Sequence, residues 1–139
     1  MLLSDFPLQT FDKVRYADTD RQGHVNNAVF SSFLETGRVE LLYAHSSLLP
    51  QAGCSFVIAS LKLDFLREIV WPGRVDIGTG LSKIGNSSVV IFQELFQKEV
   101  LVARAETVVV QLSAQTGKGE AFSDEARSFL QSFLLPTTA

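Results

Sequence analysis

The chain is poor in the residues that several common architectures require. It has one cysteine, Cys54, which excludes an internal disulfide framework and suits a reducing compartment. Cys54 reads as a small, partly buried hydrophobe rather than a nucleophile. There are two histidines, His24 and His45, and a zinc site takes three or four protein ligands. Asp18, Asp20 and His24 have donors for a hard cation, but no metal is expected. No apolar run approaches the roughly 20 residues of a membrane span. The start, MLLSDFPLQTF, lacks the charged and long apolar regions of a secretory signal. A cytoplasmic protein without membrane insertion is therefore expected. Lys and Arg number 12 against 15 Asp and Glu, a net charge of −3. The basic residues are scattered, so no nucleic-acid surface is expected. Repeats, linkers and low-complexity tracts are missing. The 139 residues, 46% hydrophobic and 19% charged, fit one domain over 1–139 with a core of ordinary size.

What is present is organised around Tyr16 to Leu42. A polar loop, Asp18 to Asn27, carries carboxylates, a glycine, a histidine and two asparagines. Beyond it, Phe30, Phe33, Leu34, Gly37, Leu41 and Ala44 recur at steps of three and four. That period predicts an amphipathic helix from about Asn27 to His45. Val29, Val39 and Leu42 widen its apolar surface. Asn26 or Asn27 supplies the N-cap. Gly37 disfavours a helix by about 1 kcal/mol relative to alanine, so it marks a close approach of another backbone.

Residues 1–9 read as a loose lead-in, interrupted by Pro7. Strand patterns are expected at Thr10–Ala17, Ser55–Leu66, Arg74–Ile84, Ser87–Gln97 and Val100–Ser113. Turns fall at Trp71-Pro72-Gly73, Gly85-Asn86 and Gln97–Glu99. In the second strand Val57, Ala59, Leu61, Leu63 and Phe65 alternate on one face. The last strand is apolar on both faces, as in a central strand. Short turns imply antiparallel pairing. Ser123 caps a short C-terminal helix with Asp124 and Glu125 at its positive end. The order predicts an α+β fold, an antiparallel sheet of about five strands with one long helix. Val90, Phe92 and Phe96 would then face outward and call for a covering subunit.

A carboxylate beside a helix N-terminus can act as nucleophile or general base, and the unpaired amides of the first turn can stabilise an oxyanion. Asp20 is the candidate carboxylate, and Asn27 and Ala28 offer the amides. Gly23 permits a sharp turn and a close ligand. His24 is an acid or base, or it fixes the loop by a hydrogen bond. Asn26 is a cap or a substrate contact. Asp18 reads as a turn or cap residue, and Glu35 and Arg38, one turn apart, as an ion pair. Lys62, Arg67 and Arg74 are candidates for an anionic ligand or simply solvated.

The run Asp18-Thr19-Asp20-Arg21-Gln22-Gly23-His24-Val25-Asn26-Asn27, with Glu35-x-x-Arg38 and Gly85-Asn86-Ser87-Ser88, resembles the signature of hotdog-fold acyl-CoA thioesterases of the 4-hydroxybenzoyl-CoA thioesterase type. The resemblance implies a sheet curled around the long helix, with Asp20 as the catalytic carboxylate. It implies hydrolysis of an acyl-CoA to a free acid and coenzyme A without a cofactor. His24 and Asn27 join Asp20 as catalytic candidates, and Gly23, Asn26, Ala28 and Phe30 as substrate contacts. Ser87 and Ser88 would line the coenzyme A channel, or serve only as strand-start residues. Phe30 and Phe33 stand where many relatives carry tyrosine. Some relatives place a second carboxylate where Glu35 lies. The implied assembly is a homodimer joined sheet edge to sheet edge, often paired into a homotetramer, with sites at the dimer interface. Competing readings are a hotdog dehydratase or hydratase and a non-catalytic acyl-thioester binding subunit.

Overall fold

The computed structural model describes residues 1–44 and 47–136. Five strands form one antiparallel sheet: β1 (Leu8–Val14), β2 (Cys54–Phe65), β3 (Gly73–Ile84), β4 (Ser88–Gln97) and β5 (Val100–Ser113). Their order is β1-β3-β4-β5-β2. The sheet curls around helix α1 (Asn27–Val39), which continues through a π-helical turn at Glu40–Ala44. A short helix, α2 (Asp124–Gln131), carries the predicted Ser123 cap, whose hydroxyl accepts from the Ala126 amide at 3.1 Å. This is the expected hotdog arrangement. His45, the expected last residue of the long helix, lies outside the described residues.

The apolar stripe of α1 faces the sheet. Phe30, Phe33 and Leu34 pack with Val75, Ile77 and Leu95, while Leu41 and Leu42 pack with Leu81, Ile91 and Leu130. Ala44, expected on the same stripe, is exposed. The widened turn lags the 3.6-residue phase, so Leu42 takes the buried position instead. Gly37 is crowded as its propensity cost implied, but by side chains and not by the other backbone that was expected. A methyl group there would overlap Thr79 Oγ1 and Gln93 Nε2. The Gln93 amide donates to Leu34 O at 2.9 Å and to Thr79 Oγ1 at 3.0 Å, tying helix to sheet.

Four expectations need correction. The lead-in is not loose: Leu3–Asp5 forms a 3₁₀ turn, Phe6 is 2% exposed, and β1 runs Leu8–Val14 rather than Thr10–Ala17. The cause is on the outer sheet face, where Phe6 stacks 6.0 Å from Phe92 over the bare backbone of Gly78. Phe6 thus covers part of Phe92, which is not the open outer surface that was expected. Phe92 is half-buried and Phe96 buried within the chain.

β2 and β3 are not a hairpin. β2 lies at one sheet edge beside β5, and residues 66–72 cross to the far side of the sheet. Finally, β2 does not alternate as predicted. Its register shifts between Ile58 and Ser60, and this bulge exchanges the faces on either side of Ala59. Phe65 meets Phe30 of α1 at 4.9 Å, and Phe56 meets Tyr43 at 5.8 Å. Phe56 and Ile58 therefore lie on the helix side, and Val57 opposite Val110 faces out.

Candidate active site

The loop before α1 folds back on itself through Asp20. Its Oδ1 accepts the Gln22 amide at 2.8 Å and the His24 amide at 3.2 Å. Its own amide donates to His24 O at 2.8 Å, and Gly23 N donates to Asp20 O at 3.1 Å. Gly23 has φ +78° with open space around it. Glycine is thus required by backbone conformation, not by a close neighbour. Among the described residues, Asp20 Oδ2 has no hydrogen-bond partner and is free to act.

The crossing segment 66–72 forms the opposite wall. Val25 N donates to Ile69 O at 2.7 Å, Trp71 N to Gly23 O at 3.4 Å, and His24 bridges to Val70. His24 Nε2 lies 3.1 Å from Glu68 Oε2. The cleft between the two segments has a volume of about 310 Å³. Asp20, His24 and Asn27 reach it from the loop, and Phe65, Arg67 and Glu68 from the opposite wall, with Phe30 beneath.

The helix start refines the expected amide pair. Asn26 is the N-cap, and its Oδ1 accepts the Ala28 amide at 3.1 Å. Ala28 is therefore engaged and does not line the cleft. The Asn27 amide has no partner among the described residues, and it carries the positive end of the helix dipole.

Asp18 is the turn residue that was expected. It is 3% exposed, accepts the Arg15 amide at 2.9 Å and pairs with the Arg15 guanidinium at 2.8 Å. Burial alone would raise its pKa. The bonds and charge of Arg15 outweigh that and hold its carboxyl below the ordinary value. Its stabilising effect is present above the usual carboxylate range and is lost as pH falls through that lowered value.

Other candidates lie elsewhere. Ser87 and Ser88 sit beyond the far end of β3, where Ser87 O accepts the Gln111 amide. The twelve residues of β3 separate them from Asp20, roughly 35 Å of strand. Lys62 lies beside Asp64 and Arg104 in a separate hollow. Arg74 pairs with Asp76 at 2.9 Å and covers the Phe11 ring. Of the three basic candidates, Arg67 alone lines the cleft. Glu35 and Arg38 are not within ion-pair distance of each other, because Arg38 turns into the protein and Glu35 stays exposed. The Cys54 thiol donates to Glu120 at 2.9 Å, and this bond and burial push its pKa up, as befits a structural thiol. Sequence reasoning missed Glu68 and Phe65. Each lies more than forty residues along the chain from Asp20, and only the unforeseen crossing of 66–72 brings them to it. Among the described residues no group of three or more His, Cys, Asp or Glu could hold a metal ion.

Comparison with known proteins agrees with this architecture. Residues 14–130 match the family model of the thioesterase-like superfamily. The acyl-CoA thioesterase YbgC of Helicobacter pylori is 31% identical over 84 residues, 60% of this chain and 63% of the relative. YbgC of Haemophilus influenzae is 24% identical over 120 residues, 84% of this chain and 88% of the relative. A Thermus thermophilus thioesterase, solved with coenzyme A and zinc, superposes with a TM-score of 0.83 at 28% identity, covering 96% of this chain and 98% of that one. The chain belongs to the thioesterase-like superfamily and is a thioester hydrolase built on the hotdog fold.

Proposed function

We propose that the protein hydrolyses acyl-CoA thioesters to a free acid and coenzyme A, with Asp20 as nucleophile or general base. The observation that carries this reading is the meeting of an unpaired carboxylate oxygen, a histidine and a free helix-start amide in one cleft. The Asn27 amide polarises the thioester carbonyl. As base, Asp20 Oδ2 takes a proton from water as its oxygen attacks the carbonyl carbon. As nucleophile, Oδ2 itself attacks, the C–S bond breaks, and water later cleaves the anhydride. In either case His24 supplies the proton that the departing thiolate requires. Arg67 is the cleft's cation for a coenzyme A phosphate. Ser87 and Ser88 would reach this cleft only from a second copy.

The mechanism uses no metal and no separate cofactor, because the helix-start amide already meets the charge that a Lewis acid would. The protein acts as a homodimer in this reading. Among the described residues one edge of β2 has no partner strand, and Val57, Ile58 and Leu61 along it are 40%, 51% and 41% exposed, an unusual apolar edge for a monomer. No helix among the described residues is long and apolar enough to cross a membrane, and the single thiol fits a cytoplasmic setting.

The test is free-thiol release from a panel of acyl-CoAs, with each rate repeated after EDTA treatment and desalting. Hydrolysis of at least one acyl-CoA, unchanged by EDTA, is expected. Binding without thiol release would favour a non-catalytic role, and water addition or loss in the acyl group would favour a hydratase. Loss of activity to EDTA with return on one divalent cation would overturn the metal-free route.

Glu68 is expected to steady His24. Its side chain is 69% exposed, and an exposed pair contributes at most about 1 kcal/mol. Glu68→Ala should therefore lower kcat/KM about three- to five-fold, and Glu68→Gln, which keeps an acceptor, less. Equal rates in all three proteins would remove Glu68 from the site.

A further inference from the structure

Gln97 is a buried polar side chain that the chemistry at Asp20 does not use. It is 7% exposed and ends β4, where the tight Lys98-Glu99 turn holds it opposite Val100. One residue of the crossing segment engages both ends of its amide. Gln97 Oε1 accepts the Val70 amide at 3.0 Å, and Gln97 Nε2 donates to Val70 O at 2.8 Å. Val70 in turn faces His24 as an antiparallel pair. The bonds on that side come from the neighbours, Val25 N to Ile69 O and Trp71 N to Gly23 O. The N–H and C=O of Val70 itself therefore point away from the Asp20 loop, toward Gln97. A single glutamine side chain takes the place there of a further strand. Gly73 leaves it room, since a Cβ at that position would stand 3.1 Å from Gln97 Nε2.

We infer that Gln97 is a positioning residue for the active site, clamping segment 66–72 so that this wall and the Asp20 loop keep each other in place. The inference rests on the hydrolase reading above. Its first support is that little else holds the middle of the segment. Leu66 N and Arg67 N donate to Val102 O at 2.9 and 3.1 Å, and β3 takes over at Gly73. Between those anchors, among the described residues, Gln97 is the only side chain that hydrogen-bonds the segment's backbone. One of the two bonds to the loop is long, at 3.4 Å. The second support is position. Val70 lies two residues from Glu68, whose carboxylate is 3.1 Å from His24 Nε2. It also lies directly across from His24, whose amide donates to Asp20 Oδ1 at 3.2 Å. A shift at Val70 is thus passed to both His24 and the carboxylate. The third support is contrast. Gln93 and Gln111, also buried, divide their bonds among different residues, whereas Gln97 commits its whole amide to one.

The experiment compares Gln97→Met with wild type in thiol release and in amide exchange read residue by residue by NMR. Methionine keeps the length of the side chain and can bond neither group of Val70. Its kcat should fall about ten-fold or more, since a misplacement of about 1 Å can cost 10²-fold. KM should change little, because Arg67 keeps its own anchor at Val102. Exchange should quicken at Val70, Trp71 and Val25, while Leu34 in the middle of α1 keeps its protection. A glutamine that only stabilised the fold would instead quicken exchange at Leu34 as well and leave the kcat of folded protein unchanged. That result overturns the proposal. So does a kcat close to wild type, or a fall in kcat with unchanged exchange at Trp71 and Val25. If Gln97→Met does not fold, Gln97→Glu replaces it. Its carboxylate still accepts the Val70 amide but sets an acceptor against Val70 O, and the same results are expected of it. If wild type releases no thiol from any acyl-CoA, the hydrolase reading falls, and exchange at Trp71 and Val25 alone decides whether Gln97 holds wall and loop together.

Discussion

Asp20→Asn should keep its fold and lose at least about 10²-fold in kcat, the low end for a positioned acid or base. Asparagine preserves the oxygen that accepts the Gln22 and His24 amides, so the loop should hold its shape. What disappears is the unpaired carboxylate oxygen facing the cleft. An amide nitrogen at that place can neither attack a thioester nor take a proton from water. The substitution therefore separates chemistry from architecture, and KM should move little while kcat collapses. The measurement is thiol release by a folded Asp20→Asn preparation on the best substrate of the acyl-CoA panel. Rates within a few-fold of wild type would show that another group performs the step, and His24 would become the first to test.

The second large effect is on stability. Gly37→Ala should destabilise the fold by about 2–3 kcal/mol, the upper part of the range for overpacking a filled core. On helix propensity alone alanine would gain about 1 kcal/mol, so the sign of the result is informative. The added methyl group falls on Thr79 Oγ1 and Gln93 Nε2, the two atoms that hold each other and Leu34 O. Moving them aside would break a hydrogen bond in the interior, where an unsatisfied donor costs about 1–3 kcal/mol. For a chain of this length the melting temperature should fall by roughly 5–10 °C. Ser32→Ala, at an exposed position on the same helix, is the control and should leave it level or slightly higher. A Gly37→Ala protein that melts with or above wild type would show that helix and sheet can part there without loss.

The helix was legible because thirteen residues repeat one physical rule, and Asn26 announces its start. The strands were legible for the same reason, including the Lys98-Glu99 turn, which takes φ 50° and 65° between β4 and β5. What escaped were features fixed by contacts distant in sequence. Phe6 looked like part of a loose end because its partners, Phe92 and Gly78, lie far along the chain. Arg38 looked like half of a surface pair because helical spacing places it near Glu35 but says nothing about which way its long side chain turns. The site was half legible. Asp20, His24 and Asn27 share one short segment with a recognisable motif. Phe65, Arg67 and Glu68 arrive on a crossing that no local pattern announces. The Asn27 amide became distinct from that of Ala28 only when the Asn26 side chain was seen to occupy the latter.

The bulge at Ala59 has the character of a parity device. A strand is a two-letter alternation, in or out, and nine steps separate Phe56 from Phe65, an odd number. In an unbroken strand those two rings would point to opposite faces, and one end of α1 would lose its aromatic contact. The extra residue resets the alternation, so a single strand grips the helix at both ends, through Tyr43 and through Phe30. Ala59 contributes through its presence more than through its side chain. Most substitutions there would be tolerated, whereas removing the residue would turn half of β2 inside out, sending Phe56 and Ile58 to solvent and Val57 toward the helix.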